Sequence, residues 1–91
     1  MPIIPDILVS KIQSSPHNPG VYIFKDSLGN VLYIGKAINL HRRLMYYTKD
    51  EKDLYEKTAQ FLKQAQTVQW IEVKSDIESL LLEINLIRTL K

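Results

Sequence analysis

Hydrophobic and polar positions change period several times along the 91-residue chain, and each change predicts an element. Ile7, Leu8 and Ile12 follow Pro5 at helical spacing, which predicts a short helix over residues 6–14. The stretch "SSPHNPG" then places two prolines and a glycine within seven residues and reads as a loop. Residues 21–25 and 31–35 are rich in β-branched and aromatic side chains, and "DSLGN" between them has the turn chemistry of Asp26 and Gly29, so the pair predicts a β-hairpin. Neither strand alternates cleanly. Val21, Ile23, Leu32 and Ile34 are apolar around Tyr22 and Tyr33, so both faces are expected to be partly covered, with helices on at least one side. Whether the two tyrosines share a face depends on register. A three-residue loop with a simple ladder would separate them, and a bulge or a four-residue loop would unite them; the expectation is that they are united.

Beyond Gly35 the period becomes helical. Leu40, Leu44 and Tyr47 stand at i, i+4 and i+7 and predict a short amphipathic helix with Arg43 beside the apolar stripe. A second helix, over about 51–65, would align Leu54, Phe61, Leu62 and Ala65, with Asp50, Glu51 and Asp53 near its positive end. "VQWIEVK" alternates Val68, Trp70 and Glu72 against Gln69, Ile71 and Val73, as expected of an edge strand. Ser75 and Glu78 form a capping box that starts a last helix running to the end of the chain. The order is helix, hairpin, two helices, strand, helix. The fold class is therefore α/β, a single small domain over 1–91 built on a three-stranded antiparallel sheet flanked by helices.

The last helix carries an anomaly. Ile77, Leu80, Leu81, Ile84 and Ile87 make one apolar arc, which Leu82, Leu86 and Leu90 extend, and Glu78, Asn85 and Thr89 make a polar stripe. Glu83 falls inside the apolar arc. A carboxylate there is costly unless it is paired, protonated or bound to a metal. The residues alone leave two readings: a salt-bridged or rim position, or a ligand or acid/base group in a pocket.

Composition narrows the chemistry. The chain has no cysteine, so disulfides and thiolate metal sites are excluded, and any metal would be held by carboxylate, imidazole, amide or water, which suits a hard cation such as magnesium or manganese better than structural zinc. Net charge is only +2, yet no carboxylate occurs between Val31 and Lys49, where Lys36, His41, Arg42, Arg43 and Lys49 all lie. That stretch suits either a solvated helix face or a polyanion. The amino terminus has prolines and an acid where a signal peptide needs a basic start, and no apolar run approaches a membrane span, so a cytoplasmic location is expected. Phosphate-binding glycine loops, G-x-S-x-G and Cys/His pairs are all missing.

The segments "PGVYIFKD", "LYIGKAINLHRRLMYY" and "SLLLEINLI", in this order, resemble the GIY-YIG nucleases, most closely the UvrC branch of bacterial nucleotide excision repair. The resemblance covers about residues 16–88. It implies a metal-dependent DNA endonuclease domain that makes the 3′-side incision, with one Mg²⁺ or Mn²⁺. In it Tyr33 would be the general base or water-orienting hydroxyl, with Tyr22 beside it, and Gly35 would let the backbone run close to its neighbours. Arg43 would contact the scissile phosphate, Tyr47 would complete the pocket, Lys36 and Arg42 would add positive charge along the DNA backbone, and Glu83 would hold the cation. Damaged double-stranded DNA is the implied substrate, with a UvrB-type partner and the further domains of UvrC as companions. In that pattern an asparagine-bearing segment follows the glutamate helix, and Lys91 falls before it, so an isolated domain or a reduced relative is expected. Three other readings remain: a catalytically inactive binding module of this fold, a stand-alone nuclease of a mobile element or restriction system, and an unrelated interaction domain.

Overall fold

The computed structural model describes residues 1–90. Helix α1 (Asp6–Gln13) precedes the hairpin of β1 (Gly20–Lys25) and β2 (Val31–Ala37). Helix α2 (Leu40–Met45) runs into a 3-10 turn at Tyr46–Thr48, and a second such turn at Glu51–Asp53 leads to α3 (Glu56–Leu62). Strand β3 (Thr67–Glu72) and helix α4 (Asp76–Leu90) complete the described chain. The three strands form one antiparallel sheet in the order β2-β1-β3, which leaves β2 and β3 as edges.

The hairpin turn is organised by Asp26. Its carboxylate accepts the backbone N–H groups of Leu28 and Asn30, both at 2.9 Å, and Gly29 adopts a positive φ of 84°. One residue further on the register changes. Lys25 pairs with Val31 but Phe24 pairs with Tyr33, so Leu32 is an extra residue and the ladder is bulged. From there Tyr22 lies opposite Gly35. Without the bulge Tyr22 would oppose Ile34 and Tyr33 would point to the other side. The bulge therefore puts Tyr22, Phe24 and Tyr33 on one face, as the sequence reading expected.

That face builds the main core. Tyr22, Phe24 and Val68 pack there against Leu8 and Ile12 of α1, Leu40 and Leu44 of α2, and Tyr47 and Leu62 beyond. The stripe expected of α2 is borne out, since Leu40, Leu44 and Tyr47 are all buried. The other face carries Val21, Ile23 and Ile34 under Leu82 and Leu86 of α4.

Helix α1 forms where it was expected, with Leu8 and Ile12 facing inward and Ile7 77% exposed, because neighbouring helical positions diverge by about 100°. Two expectations are corrected. The helix expected over 51–65 is broken, with Leu54 and Tyr55 both extended. Asp50 forms an isolated bridge with Pro2 just before the 3-10 turn, and Leu54, in the break itself, packs on the core. In α4 the apolar arc faces outward, with Ile77 at 72% exposure and Leu81 at 57%, while Ser79, Leu82 and Leu86 meet the sheet. The capping box forms as expected in outline. Ser75 Oγ accepts the N–H of Glu78 at 3.2 Å, and the Glu78 carboxylate accepts the N–H of Lys74 at 2.9 Å.

Candidate active site

The site begins at the facing pair of Tyr22 and Gly35. A β-carbon at position 35 would stand 2.5 Å from Cζ of Tyr22 and closer still to its hydroxyl, so only glycine lets the phenol lie across β2. Thus the glycine makes room for a protein side chain. Fixed there, Tyr22 is fully buried, and its hydroxyl shares a hydrogen bond of 2.6 Å with that of Tyr47. Arg43 Nε donates to the Tyr22 hydroxyl at 3.3 Å. Arg43 lies on α2 and Tyr47 on the 3-10 turn that continues it: Asn39 caps the helix, its Oδ1 accepting the N–H of Arg42 at 3.0 Å, and the continued helical path brings residues 43 and 47 to one side.

The electrostatics of this group are set by burial. Loss of water raises the Tyr22 hydroxyl above its ordinary value and pushes that of Tyr47 well above it, and the Arg43 charge does not offset it. The hydrogen bond to Tyr22 holds the Arg43 guanidinium more firmly charged still. Phenolate formation is therefore disfavoured at these two tyrosines. They orient Arg43 instead. Because Nε is committed to Tyr22, the two terminal amino groups of Arg43 stay available to a ligand, and the guanidinium lies over the rings of Tyr46 and Tyr47 at 5.7 and 6.0 Å.

Tyr33 differs from its two neighbours. It is half-buried, its ring lies 6.0 Å from that of Tyr22, and its hydroxyl makes no hydrogen bond among the described residues. Phe61 of α3 stacks on it at 5.1 Å with planes 12° apart, fixing the ring while leaving the hydroxyl open.

The remaining predicted residues are placed elsewhere. Lys36 alternates to the α4 side of β2, and its ammonium pairs with Asp76 at 2.9 Å, so much of its charge is spent on anchoring α4. Arg42 is exposed and, with Lys36, Asn39, Arg43 and Tyr46, lines a basic pocket of about 520 Å³. Glu83 makes no hydrogen bond to the tyrosine set among the described residues. It lies on α4, which packs over the opposite face, chiefly on the edge strand β2, and it is half-buried at the rim beside Leu82 and Leu86. It has neither a salt bridge nor a hydrogen bond among the described residues. Those residues also contain no group of three metal-ligating side chains.

Three aromatic residues at the site were missed as site residues. A second pocket, of about 170 Å³, is lined by Tyr33, Arg43, Tyr46, Tyr47, Tyr55, Thr58 and Phe61. The sequence reading put Phe61 in a core stripe and gave Tyr46 and Tyr55 no role. The available signal was five tyrosines in so short a chain, two of them adjacent in "MYYTK".

A bulged hairpin that buries one tyrosine under a facing glycine, shows a second tyrosine to solvent, and receives an arginine from the next helix defines the frame of a GIY-YIG endonuclease domain. The model of the UvrC-like GIY-YIG domain matches residues 18–91, and the chain belongs to that family. It is 42% identical over 84 residues to UvrABC system protein C of Hydrogenobaculum sp. and 41% identical over 83 residues to that of Streptococcus thermophilus. These alignments cover 92% and 91% of this chain but only 14% of each relative. Among solved structures, the N-terminal GIY-YIG endonuclease domain of UvrC from Thermotoga maritima, bound to magnesium as its catalytic divalent cation, superposes with a TM-score of 0.85 at 36% identity. The match covers 96% of this chain and 93% of that one. The α/β fold class is thereby borne out.

Proposed function

We propose that this chain hydrolyses one phosphodiester of damaged duplex DNA, on the 3′ side of the lesion, as the nuclease domain of an excision-repair protein. A UvrB-type partner and further UvrC-type domains would deliver the substrate, and the location would be cytoplasmic. The observation that carries the reading is the hydrogen-bonded set of Arg43, Tyr22 and Tyr47 beside the open hydroxyl of Tyr33.

The residues divide the work by their surroundings. Tyr22 and Tyr47, buried and protonated, hold Arg43 in one orientation before DNA arrives, so less order has to be imposed during the reaction. The free amino groups of Arg43 match two oxygens of a phosphate and stabilise the charge that grows there as the water attacks. Tyr33 is the tyrosine of the three whose hydroxyl is open to orient that water or, as the phenolate, to take its proton and become the phenol. Arg42 and the stem of Lys36 line the basic pocket along which the neighbouring phosphates would run.

The donor set suits a hard cation. Glu83 is a half-buried carboxylate with no protein partner among the described residues, on a helix that overlies the edge strand next to the pocket. Mg²⁺ and Mn²⁺ favour one or two carboxylates with several retained waters over a protein cage. Glu83 would hold the cation, which when bound would polarise a phosphate oxygen and acidify a coordinated water.

The test is nicking of a lesion-bearing duplex with Mg²⁺ or Mn²⁺ in the presence of the UvrB-type partner, beside Glu83→Gln and Tyr33→Phe. Each variant should lose about 10²-fold or more while remaining folded. Cutting that survives both substitutions, or that needs no divalent cation, overturns the assignment. DNA binding without cutting would leave a binding module of the same fold.

A further inference from the structure

The 170 Å³ pocket is not explained by phosphodiester chemistry. Five of its seven walls are aromatic rings (Tyr33, Tyr46, Tyr47, Tyr55 and Phe61), whereas hydrolysis needs one hydroxyl and a cation there. Tyr55 is the unusual member. It is 80% exposed, sits in the extended break before α3, and packs with neither core cluster. A tyrosine that contributes to no core and still borders the pocket holding Tyr33 is free to serve a ligand. The pocket shares Arg43 and Tyr46 with the basic pocket of about 520 Å³, so the phosphate-facing guanidinium stands at the junction of a charged channel and an aromatic one.

Resting on the nuclease reading, we propose that the aromatic pocket is a nucleobase subsite. It would receive the base of a nucleotide adjoining the scissile phosphate, with Tyr55 as the outer stacking wall. Volume and chemistry agree: the space suits one unstacked base, the exposed Tyr55 ring can supply a stacking face, and stacking is indifferent to base identity, as a repair enzyme requires. With the phosphate on Arg43 and the base stacked on Tyr55, the strand could neither slide nor rotate at the bond to be cut. Unstacking a base costs a few kcal/mol, least where the duplex is already opened, so the subsite also favours DNA distorted beside the cut.

The test uses this chain with the UvrB-type partner and lesion-bearing duplexes carrying 5-iodouracil at single positions across the cut site, with Ca²⁺ in place of Mg²⁺. Irradiation should give an adduct on Tyr55 or Tyr46 from one position only, and Tyr55→Ala should lower its yield about tenfold while Tyr55→Phe restores it. Because Tyr55 is exposed, the alanine variant should keep its stability. In nicking assays an abasic nucleotide at that same position should slow cutting as much as Tyr55→Ala does, and the two together should slow it no further. Adducts elsewhere, no adduct at all, or additive losses overturn the subsite. Loss of cutting with the Tyr55 adduct intact would instead count against the nuclease assignment and leave the subsite standing.

Discussion

Gly35→Ala tests the central contact of the site. The added methyl would stand 2.5 Å from Cζ of Tyr22, where carbon atoms need about 3.5 Å or more. The phenol is the far end of its side chain, but it is fully buried and hydrogen-bonded to Tyr47 and Arg43, so it cannot simply swing away. Overpacking of this kind costs about 1–3 kcal/mol. Replacing a strand glycine by alanine returns roughly 0.5–1 kcal/mol of backbone entropy. The net loss should therefore be about 1–2 kcal/mol, which for a domain of this size lowers Tm by roughly 4–15 °C. Urea denaturation should show a lower midpoint with an unchanged slope, and nicking should fall further than stability does, because displacing Tyr22 turns Arg43 off its phosphate. Tyr22→Phe provides the control: it keeps the ring, loses both hydrogen bonds, and should lower cutting without the steric cost. A Gly35→Ala variant with normal stability and normal cutting would refute the claim that the close approach is what requires glycine.

Other consequences are open to measurement. The raised hydroxyls of Tyr22 and Tyr47 stay protonated in the folded state after the unfolded chain has begun to ionise near pH 10, so the stability they contribute is complete below pH 10 and is lost as pH rises beyond it. The slope from Tyr47 should approach about 1.4 kcal/mol per pH unit above pH 10, with Tyr22 adding to it in the same direction, and Tyr47→Phe should remove most of it in urea titrations run from pH 9 to 11; an unchanged slope would place the ionising group elsewhere. Arg43→Lys keeps the charge but not the fork, so cutting should drop about 10²-fold while stability changes by less than ~1 kcal/mol, as paired kinetics and thermal melts would show. Ser75→Ala removes the cap on α4 and should cost about 1 kcal/mol by denaturation, with normal stability arguing that the hydrogen bond to Glu78 contributes nothing.

Local chemistry determined most of the element order. Turn residues, the α2 stripe and the capping box act within a few positions, and each formed where its residues called for it. The exception among the local signals is the helix expected over 51–65. There Pro2 bridges to Asp50 from far along the sequence and Leu54 packs on the core, where the pattern was helical on its own terms. In α4 periodicity met its limit for another reason. The helix is apolar over most of its circumference, so spacing could not choose a buried face, and the shape of the sheet over Val21, Ile23 and Ile34 chose Leu82 and Leu86.

The site divides in the same way. Tyr22, Tyr33, Gly35 and Arg43 were singled out by the order of motifs that carries the family resemblance, since each residue type alone reads equally well as packing or a solvated helix face; that Gly35 faces Tyr22 was not legible. Tyr46, Tyr55 and Phe61 were not, since aromatic residues in helices and loops look like core until their neighbours are known. Only the tertiary structure decided that Tyr33 shares a face with Tyr22, through one extra residue at Leu32. Strand side chains alternate with a period of two, so a single bulged position sends every later residue to the opposite face.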